Sequence, residues 1–366
     1  MLRKRVGIAL SGGVDSSVAA YLLKEAGYDL HGVFMRTWNA DDDANPLSEC
    51  PWRRDLEDAR AVAGQLGISF EVVSMIERYK EHVVGELVDG YGAGLTPNPD
   101  VLCNKWIKFG ALFDHVKSCG CEMIATGHYC KKVENPDGSC DICEGDDKNK
   151  DQSYFLALLN QEQIKNALFP LGTYAKPQVR SIASGLDLRT AAKKDSQGIC
   201  FLGKVKIQDF LAQYVEDFAG DIVTIGGRVL GRHSGLFRFT IGQRHGLNIP
   251  SNRDNRHYVV IAKDLECNKL IVEIESEDSP MLYKNEVGVR NLSFTNKPIG
   301  DGAKILAKPR YRDPSQKITF NYAHKSEIPG ECTAFIHFQE KQRALAAGQI
   351  IAFYSGERLL GGGIYV

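Results

Sequence analysis

A short glycine-rich stretch, Ser11-Gly12-Gly13-Val14-Asp15-Ser16-Ser17, constrains the fold more than any other part of this sequence. The apolar run from Val6 to Leu10 precedes it and predicts a strand, and a helical pattern follows from Val18 to Ala26. Glycines let backbone N–H groups approach an anion closely, and the amino terminus of a helix adds its positive dipole end. The stretch therefore predicts a phosphate-binding loop between a strand and a helix.

Asp15 is the unusual member of this loop, since a phosphate repels a carboxylate unless a cation such as Mg²⁺ lies between them. The stretch lacks the Gly-Lys-Ser/Thr ending of a Walker A loop and the Gly-x-Gly-x-x-Gly of a dinucleotide fold. A polar turn without a ligand is the alternative. The motif resembles the pyrophosphatase loop of ATP-pyrophosphatases, which cleave ATP between the α- and β-phosphates. That resemblance implies ATP and does not choose the second substrate.

Strand and helix patterns alternate through the first 130 or so residues, which predicts an α/β fold with a doubly wound parallel sheet. Ligands bind such sheets at the carboxyl ends of the strands, where we expect Met35 and Gly127 beside the phosphate loop. They could line an adenine pocket, although a methionine in the core is the commoner case. The predicted strands are Leu30–Met35, Phe70–Val73 and Met123–Thr126, and the predicted helices are Asp55–Leu66, Ile76–Tyr91 and Asn104–Val116.

Composition narrows the functional class. The chain has 366 residues, enough for two or three domains, and a net charge of −1, so any basic surface must be local. No apolar run approaches the length of a membrane span, and we expect no targeting segment, because the basic start runs directly into the first strand. Ten cysteines are few for a disulfide scaffold of this size. They suit reduced thiols in a reducing compartment, and we expect a cytoplasmic protein.

Two loops carry cysteines next to cations. Two prolines stiffen the segment from Thr96 to Lys105, and Cys103 lies where the predicted helix begins, three residues after Asp100. Cys200 lies between Lys193-Lys194 and an apolar stretch. A helix amino terminus or a cationic neighbour stabilises a thiolate, which would make either cysteine reactive. A small buried thiol is the competing interpretation for both residues.

The rest of the chain carries weaker patterns. Cys140-Asp141-Ile142-Cys143 is half of a zinc site, a redox pair or part of an inert loop. Helices are predicted from Lys150 to Leu159 and from Lys176 to near Gly185. Beyond residue 220 short apolar runs alternate with turns, which predicts a small β-rich linking domain and a C-terminal β-barrel-like domain. Lys308-Pro309-Arg310-Tyr311-Arg312 could contact phosphates and stack on a base, or form a solvated strand edge.

The ordered combination of motifs resembles the tRNA-specific 2-thiouridylase family over essentially the whole chain. The motifs are Ser11–Ser17, Asn98-Pro99-Asp100 with Cys103, Ala125–Tyr129, Lys150–Leu156, Asp195–Phe201, Gly242–Leu247 and Gly348-Gln349. The resemblance implies ATP-dependent 2-thiolation of the wobble uridine of tRNA, on an adenine nucleotide α-hydrolase-like sheet. It further implies a catalytic domain at 1–168 to which 193–207 returns, a tRNA-binding linking domain at 169–275 and a barrel at 276–366.

The same resemblance assigns roles to individual residues. Cys200 would carry a persulfide supplied by a sulfur relay protein, Cys103 would be its nucleophilic partner, and Asp100 the general acid or base. The protein would act as a monomer. ATP would contact Ala9, Leu10, Ser11, Gly12, Gly13, Val14, Asp15, Ser16, Met35 and Gly127, with Mg²⁺ at Asp15. tRNA would contact Asn98, Pro99, Asp100, His128, Lys150, Asp151, Gln152, Tyr311, Arg312 and Gln349.

Two other functions fit the phosphate-binding loop. An adenylating amidoligase similar to GMP synthetase would use ammonia and would need no cysteines at positions 103 and 200. A non-catalytic, ATP-gated RNA-binding or sulfur-carrier protein would bind tRNA and release no pyrophosphate. The two cysteine-bearing loops favour the thiolation hypothesis over both.

Overall fold

The computed structural model describes residues 4–38, 51–195, 206–249, 256–323 and 332–366. Three sheets organise these residues, and their strands are numbered along the chain. The strands are β1 Arg5–Ala9, β2 Asp29–Arg36, β3 Ser69–Ser74, β4 Met123–Ala125, β5 Cys130–Glu134, β6 Cys140–Glu144, β7 Ala167–Leu168, β8 Gly220–Thr224, β9 Val229–His233, β10 Tyr258–Asp264, β11 Lys269–Ile274, β12 Tyr283–Phe294, β13 Ala303–Lys308, β14 Gln316–Tyr322, β15 Ala334–Arg343, β16 Ile350–Ser355 and β17 Arg358–Tyr365.

The first sheet is parallel and has the order β3-β2-β1-β4-β7, which confirms the predicted doubly wound fold. The central strand β1 is apolar because helices cover both of its faces, as in other parallel sheets. The α-helices among the described residues are α1 Val14–Glu25, α2 Pro51–Leu66, α3 Ile76–Tyr79, α4 Gly85–Gly92, α5 Pro99–Leu102, α6 Leu112–Ser118, α7 Gln161–Lys165, α8 Lys176–Gly185 and α9 Ile207–Leu211.

The two faces of this sheet have separate cores. Helices α1, α2 and α8 pack on the face that carries Val6, Ile8 and Phe34. Helices α3 to α6 pack with Val33 and Val73 on the other face. The carboxyl edge of the sheet, between these two layers, is left for the phosphate loop and the loops that follow β2 and β4.

Within the described ranges, two helices contain π-helical segments. The helix predicted from Ile76 to Tyr91 runs through α3, a π segment at Lys80–Val84 and α4. The helix predicted from Asn104 to Val116 begins earlier, with α5, and continues through a π segment at Cys103–Ala111 into α6. Its earlier start has a local cause: Asn98 accepts hydrogen bonds from the Asp100 and Val101 amides, and Pro99 occupies the first helical position.

The predicted helix from Lys150 to Leu159 is wrong. Only a 3₁₀ turn, Ser153–Leu156, forms there. The Asp151 carboxylate accepts hydrogen bonds from the Ser153 amide at 3.2 Å and the Ser153 hydroxyl at 2.9 Å. Side-chain bonds of this kind hold the backbone in a turn in place of a helix. The predicted helix at Lys176 is confirmed as α8.

The second and third sheets account for the β-rich part of the chain. The second has the order β10-β11-β8-β9. In the third, β12-β15-β14-β13-β16-β17 closes into an antiparallel barrel through pairing of β12 with β17, around Phe320, Phe338 and Phe353. The hairpin β5–β6 extends this sheet from β17, and so joins the sequence around residue 140 to the barrel.

Candidate active site

The predicted phosphate loop connects β1 to α1, and internal hydrogen bonds fix its shape. Gly12 has a φ of +74°, and a Cβ there would lie 2.1 Å from the Asp55 carbonyl oxygen, so glycine is required. The buried Ser16 hydroxyl accepts from the Ser11 amide at 3.2 Å and donates to the Gly13 carbonyl at 3.1 Å. Ser11 is exposed. The loop therefore presents the Ser11 hydroxyl and the start of α1 at the sheet edge, beyond Ala9 and Leu10.

Met35 and Gly127 lie at the same carboxyl edge, as predicted. Met35 is half-buried near the end of β2, and it packs against the core on the side of Val33. Gly127 follows β4, and a Cβ there would lie 2.9 Å from the Ser16 amide nitrogen. A side chain at position 127 would press into the first turn of α1, whose N–H groups belong to the phosphate loop.

The Asp15 carboxylate is held by two side chains that sequence reasoning did not identify. The Tyr129 hydroxyl donates to Asp15 Oδ1 at 2.6 Å, and Lys176 Nζ lies 2.7 and 2.9 Å from the two Asp15 oxygens. Burial raises the pKa of Tyr129, and the hydrogen bond and charge of Asp15 raise it further, so this phenol stays protonated. Lys176, whose side chain is 11% exposed, thus places a positive charge beside Asp15.

Lys176 also binds Asp195, which begins the motif that carries Cys200. Lys176 Nζ lies 2.8 Å from Asp195 Oδ1, while Lys150 and Arg180 each contact Asp195 at 2.7 Å. Burial by itself would raise the pKa of Asp195, but the hydrogen bonds from Lys150 and Lys176 prevail and lower it to about 2. Asp195 is therefore a carboxylate at neutral pH, shared by three cations beside the phosphate loop.

A second contact holds the same segment. Lys193 Nζ donates to the Gly12 carbonyl at 2.8 Å and pairs with Asp55 and Asp58 at 2.6 Å. The lysine that the sequence analysis places beside the Cys200 thiolate is therefore engaged by carboxylates and by the phosphate loop. Cys200 itself lies outside the described residues. It follows Asp195 by five residues, so its Cα is within about 18 Å of the Asp195 Cα even if the chain is fully extended.

Cys103 is 1% exposed and lies in the second turn of its helix, at the first position of the π segment. The prediction that it sits at the helix amino terminus is wrong, because the Asn98 cap and Pro99 start the helix four residues earlier. The dipole of the helix is strongest in its first turn, which contains Asp100 in place of Cys103. π-helical geometry inside an α-helix is frequent at functional sites.

Four of the predicted tRNA-contacting residues lie near the phosphate loop, Asp195 and Tyr129. Lys150 is half-buried and bound to Asp195. The Asp151 carboxylate is buried and bonds to Ser153, to the Gly145 amide at 3.1 Å and to Lys308 Nζ at 3.1 Å. The remaining two residues brace the turn around Tyr129: Gln152 Oε1 accepts from the Tyr129 amide, and His128 Nδ1 bonds to the Thr126 hydroxyl at 2.7 Å.

His128 is buried among Phe109 and Phe169, and burial lowers its pKa well below the usual value, so its ring is neutral. Neither the Asp151 carboxylate nor the His128 ring lies at the surface. A contact between either residue and tRNA would therefore have to use the backbone, or follow a rearrangement.

The barrel contributes residues to the same region. The Tyr311 ring lies 4.3 Å from the Phe155 ring, and the Arg312 guanidinium lies 5.2 Å from the Tyr311 ring centre. The Thr96 amide donates to the Ala347 carbonyl at 2.8 Å, which places Gln349 beside the proline-rich loop. The structure thus places Gln349 next to the segment that leads to Cys103, and Tyr311 and Arg312 next to Phe155.

The cysteines at positions 140 and 143 lie in β6, so the alternative in which they belong to a loop is wrong. Three positions separate them, which puts their side chains on opposite faces of the strand. They cannot chelate one metal ion together without breaking β6.

Among the described helices, none is both long enough and apolar enough to cross a membrane.

Comparisons with known proteins agree with this arrangement. Three family models match consecutive parts of the chain: a tRNA methyl transferase HUP domain at 4–204, a tRNA methyl transferase PRC-barrel domain at 208–273 and an aminomethyltransferase beta-barrel domain at 284–365. The tRNA-specific 2-thiouridylase MnmA of Akkermansia muciniphila is 45% identical over 361 residues, covering 99% of this chain and 98% of that protein. The MnmA of Bacillus subtilis is 44% identical over 361 residues, covering 98% and 94%.

A crystal structure of a 4-thiouridine synthetase–RNA complex with bound ATP matches more remotely. Its TM-score is 0.36 at 17% identity, and the match covers 58% of this chain and 50% of that one. A likeness at this level supports no conclusion. The curated relatives, by contrast, match over nearly the full length of both chains, and the chain belongs to the tRNA-specific 2-thiouridylase family.

Proposed function

We propose that this protein uses ATP to convert the wobble uridine of tRNA to 2-thiouridine. The observation that carries the proposal is the double contact of Lys176 with Asp15 and Asp195. One ammonium group ties the phosphate loop to the segment that leads, five residues later, to Cys200. The loop that would bind ATP and the segment that leads to the sulfur-carrying cysteine are therefore held together by one side chain.

In the first step, ATP occupies the loop from Ala9 to Ser16, with Met35 and Gly127 as further contacts. The C2 oxygen of uridine attacks the α-phosphate and pyrophosphate leaves, which gives an adenylated base. This step is needed because a C2 oxygen is a poor leaving group as water or hydroxide, whereas AMP leaves readily. The N–H groups at the start of α1 and the Ser11 hydroxyl stabilise the negative charge of the phosphates.

In the second step, a persulfide on Cys200, loaded by a sulfur relay protein, supplies the sulfur. By one route its terminal sulfur attacks C2, AMP leaves, and the Cys103 thiolate then attacks the Cys200 sulfur and releases 2-thiouridine. By the other, Cys103 attacks the Cys200 sulfur first and releases sulfide, which displaces AMP from C2. Both routes oxidise the two cysteines to a Cys103–Cys200 disulfide, which an external reductant must reduce before the next turnover.

Mg²⁺ would accompany ATP, but the setting of Asp15 limits its role as a ligand. Both Asp15 oxygens contact Lys176, and one also accepts from Tyr129. A magnesium ion bound directly to Asp15 would have to displace Lys176 Nζ from one of them. We therefore propose that Asp15 acts mainly by holding Lys176 beside the phosphates, while Mg²⁺ binds chiefly through ATP oxygens and water.

The target base would leave the anticodon stack and enter a pocket beside the proline-rich loop. Asn98, Pro99 and Asp100 would contact the base there, with Asp100 as general acid or base. Lys150–Gln152, His128, Tyr311, Arg312 and Gln349 would contact the surrounding tRNA. The protein would act as a cytoplasmic monomer, with a catalytic domain at 1–168 to which 193–207 returns, a tRNA-binding linking domain at 169–275 and a barrel at 276–366. Within 169–275, helix α8 packs on the catalytic sheet.

Serine variants of the two cysteines test this function. We expect Cys103→Ser and Cys200→Ser each to abolish 2-thiouridine, measured by nucleoside mass spectrometry after incubation with tRNA, ATP, Mg²⁺ and a persulfide donor. Both should keep part of the tRNA-dependent pyrophosphate release, because adenylation precedes sulfur transfer. Cys267→Ser, at an exposed turn between β10 and β11, is the matched control and should thiolate normally. Normal thiolation by either active-site variant would refute the sulfur-transfer assignment.

A further inference from the structure

Four side chains of types that bind metal ions meet on one face of the amino-terminal sheet, away from the phosphate loop. His31 lies on β2, Glu71 on β3, His115 on α6 and Cys119 in the turn that follows α6. The ligand atoms of His31, Glu71 and Cys119 all lie within 4.8 Å of one another. The proposed thiolation reaction uses none of the four.

Glu71 Oε1 stands at the centre of the group. It lies 2.7 Å from His31 Nε2, 2.9 Å from His115 Nε2 and 3.7 Å from Cys119 Sγ, while Cys119 Sγ lies 3.8 Å from His115 Nε2. In a tetrahedral zinc site, with Zn–N near 2.1 Å and Zn–S near 2.3 Å, neighbouring ligand atoms are about 3.3–3.6 Å apart. The four separations given above bracket this range. His115 lies outside the group of ligand atoms that are all within 4.8 Å of one another, so His31 and His115 would have to approach each other by more than about 1 Å to share an ion.

The hydrogen bonds of His31 point to a ligand at its outer nitrogen. Nδ1 lies 2.9 Å from the Ser69 hydroxyl, and that hydroxyl donates its only hydrogen to the Leu30 carbonyl. Nδ1 is therefore assigned as an N–H donor, and Nε2 is the ring atom that would bind a metal ion in place of its hydrogen bond to Glu71 Oε1. A histidine that binds a metal usually has this arrangement, with the other ring nitrogen donating to a fixed oxygen.

We propose that His31, Glu71, His115 and Cys119 bind one structural Zn²⁺ ion. Two imidazoles, a carboxylate and a thiolate form a closed set of four ligands that suits this ion of intermediate softness, whereas Mg²⁺ and Ca²⁺ prefer oxygen ligands alone. On binding, Cys119 loses its thiol proton, both Nε2 atoms bind as lone-pair donors, and Glu71 rotates outward to become the fourth ligand. The Glu71 and His115 side chains are each 32% exposed, which leaves an entry path.

The ion would tie β2 and β3 to the end of α6. His31 and Ser69 are opposite each other in the β2–β3 pairing, four residues before Met35 reaches the carboxyl edge. The site is thus separate from the residues that would bind ATP and uridine. The proposal does not depend on the thiolation activity, and its test does not use that activity.

The test is metal binding by the full-length protein that carries Cys103→Ser and Cys200→Ser, which removes the two active-site thiols as competing ligands. We expect one equivalent of zinc in the purified protein by elemental mass spectrometry. After chelation, Co²⁺ should give the d–d bands of a four-coordinate ion and a thiolate charge-transfer band. Cys119→Ser should remove the charge-transfer band, and Cys267→Ser should keep it.

Affinity for Zn²⁺, measured by competition with a chromophoric chelator, should fall at least about tenfold in His31→Gln and about tenfold in Ser69→Ala, which loses only the supporting hydrogen bond. His337→Gln on the exposed face of the barrel should leave the affinity unchanged. If Cys119→Ser does not fold, the parent protein decides: Zn²⁺ should protect Cys119 from alkylation in peptide mapping. The proposal is overturned if no ion binds, or if it binds without protecting Cys119 or without dependence on these residues.

Discussion

Replacing Lys176 with methionine removes the charge that links the phosphate loop to the Cys200 segment. Lys176 Nζ lies within 2.9 Å of both Asp15 oxygens and 2.8 Å from Asp195 Oδ1. Methionine keeps the length and the apolar stem of the side chain, so the packing of α8 is preserved. The variant leaves Asp15 and Asp195 facing each other, and any bound phosphate, without the ammonium group between them.

The size of the effect follows from the remaining partners. A hydrogen bond to a charged group contributes about 1.5–3 kcal/mol. Asp195 keeps Lys150 and Arg180, while among the described residues Asp15 keeps the Tyr129 hydroxyl, so the larger loss falls on Asp15. The Asp15 side chain is 33% exposed, and water recovers part of this loss. We expect the free energy of unfolding to fall by about 2 kcal/mol.

Two assays measure the consequences of Lys176→Met. Urea unfolding followed by circular dichroism gives the stability change, and tRNA-dependent pyrophosphate release gives the KM for ATP. We expect that KM to rise at least about tenfold, since about 1.4 kcal/mol of lost phosphate attraction corresponds to that factor. Lys176→Arg, which keeps the positive charge, should raise the KM for ATP less than Lys176→Met does. Lys148→Met is the control, because Lys148 is half-exposed in a surface ion pair that contributes about 1 kcal/mol or less. If Lys176→Met behaves as Lys148→Met does in both assays, the bridging role is refuted.

Two further predictions concern contacts with the segment before Pro99. Gly348 has a φ of +89°, and a Cβ there would lie 2.8 Å from the Thr96 amide nitrogen, so Gly348→Ala should lower both thiolation and the free energy of unfolding. The control is Gly302→Ala, because Gly302 has a φ of +70° with open space around it. That variant should lower the free energy of unfolding by only about 1–2 kcal/mol. Burial lowers the pKa of Lys263, whose Nζ donates to the Gly94 carbonyl at 3.1 Å, to about 8. The unfolded chain therefore binds more protons between about pH 8 and 10.5, so stability should rise with pH in that window. Urea titrations should show that this rise is absent in Lys263→Met, and a rise that persists in the variant would contradict the assignment.

Local patterns predicted the parts of the fold that local physics determines. The apolar run into Ser11–Ser17 and the strand–helix alternation give the parallel sheet and the position of the phosphate loop, because each depends on neighbouring residues. The start of the helix before Cys103 was predictable as well. Asparagine is a usual N-cap residue and proline a usual first helical residue, so Asn98-Pro99 indicates a helix that begins at Pro99.

The partners of Asp15 could not be predicted in the same way, because contacts across 114 and 161 positions leave no periodic pattern. One local signal did exist. Lys176 is the first residue of α8, where a positive charge opposes the helix dipole. A lysine at that position suggests that its charge serves a partner elsewhere, and here the partners are Asp15 and Asp195. The pairing of β6 with β17 left no local signal either, since it depends on the barrel.

Long-range contacts limit how far the segment that carries Cys103 can move. The segment from Gly94 to Pro99 is held from two sides, by Lys263 of the second sheet and by the Ala347 carbonyl of the barrel, and Cys103 is buried in the helix that follows. The other segment is tied to the phosphate loop through Lys193 and Asp195. Moving Cys103 would disturb the contacts of this segment with the second sheet and with the barrel. We therefore expect Cys103 to keep its place in the helix during the proposed sulfur transfer.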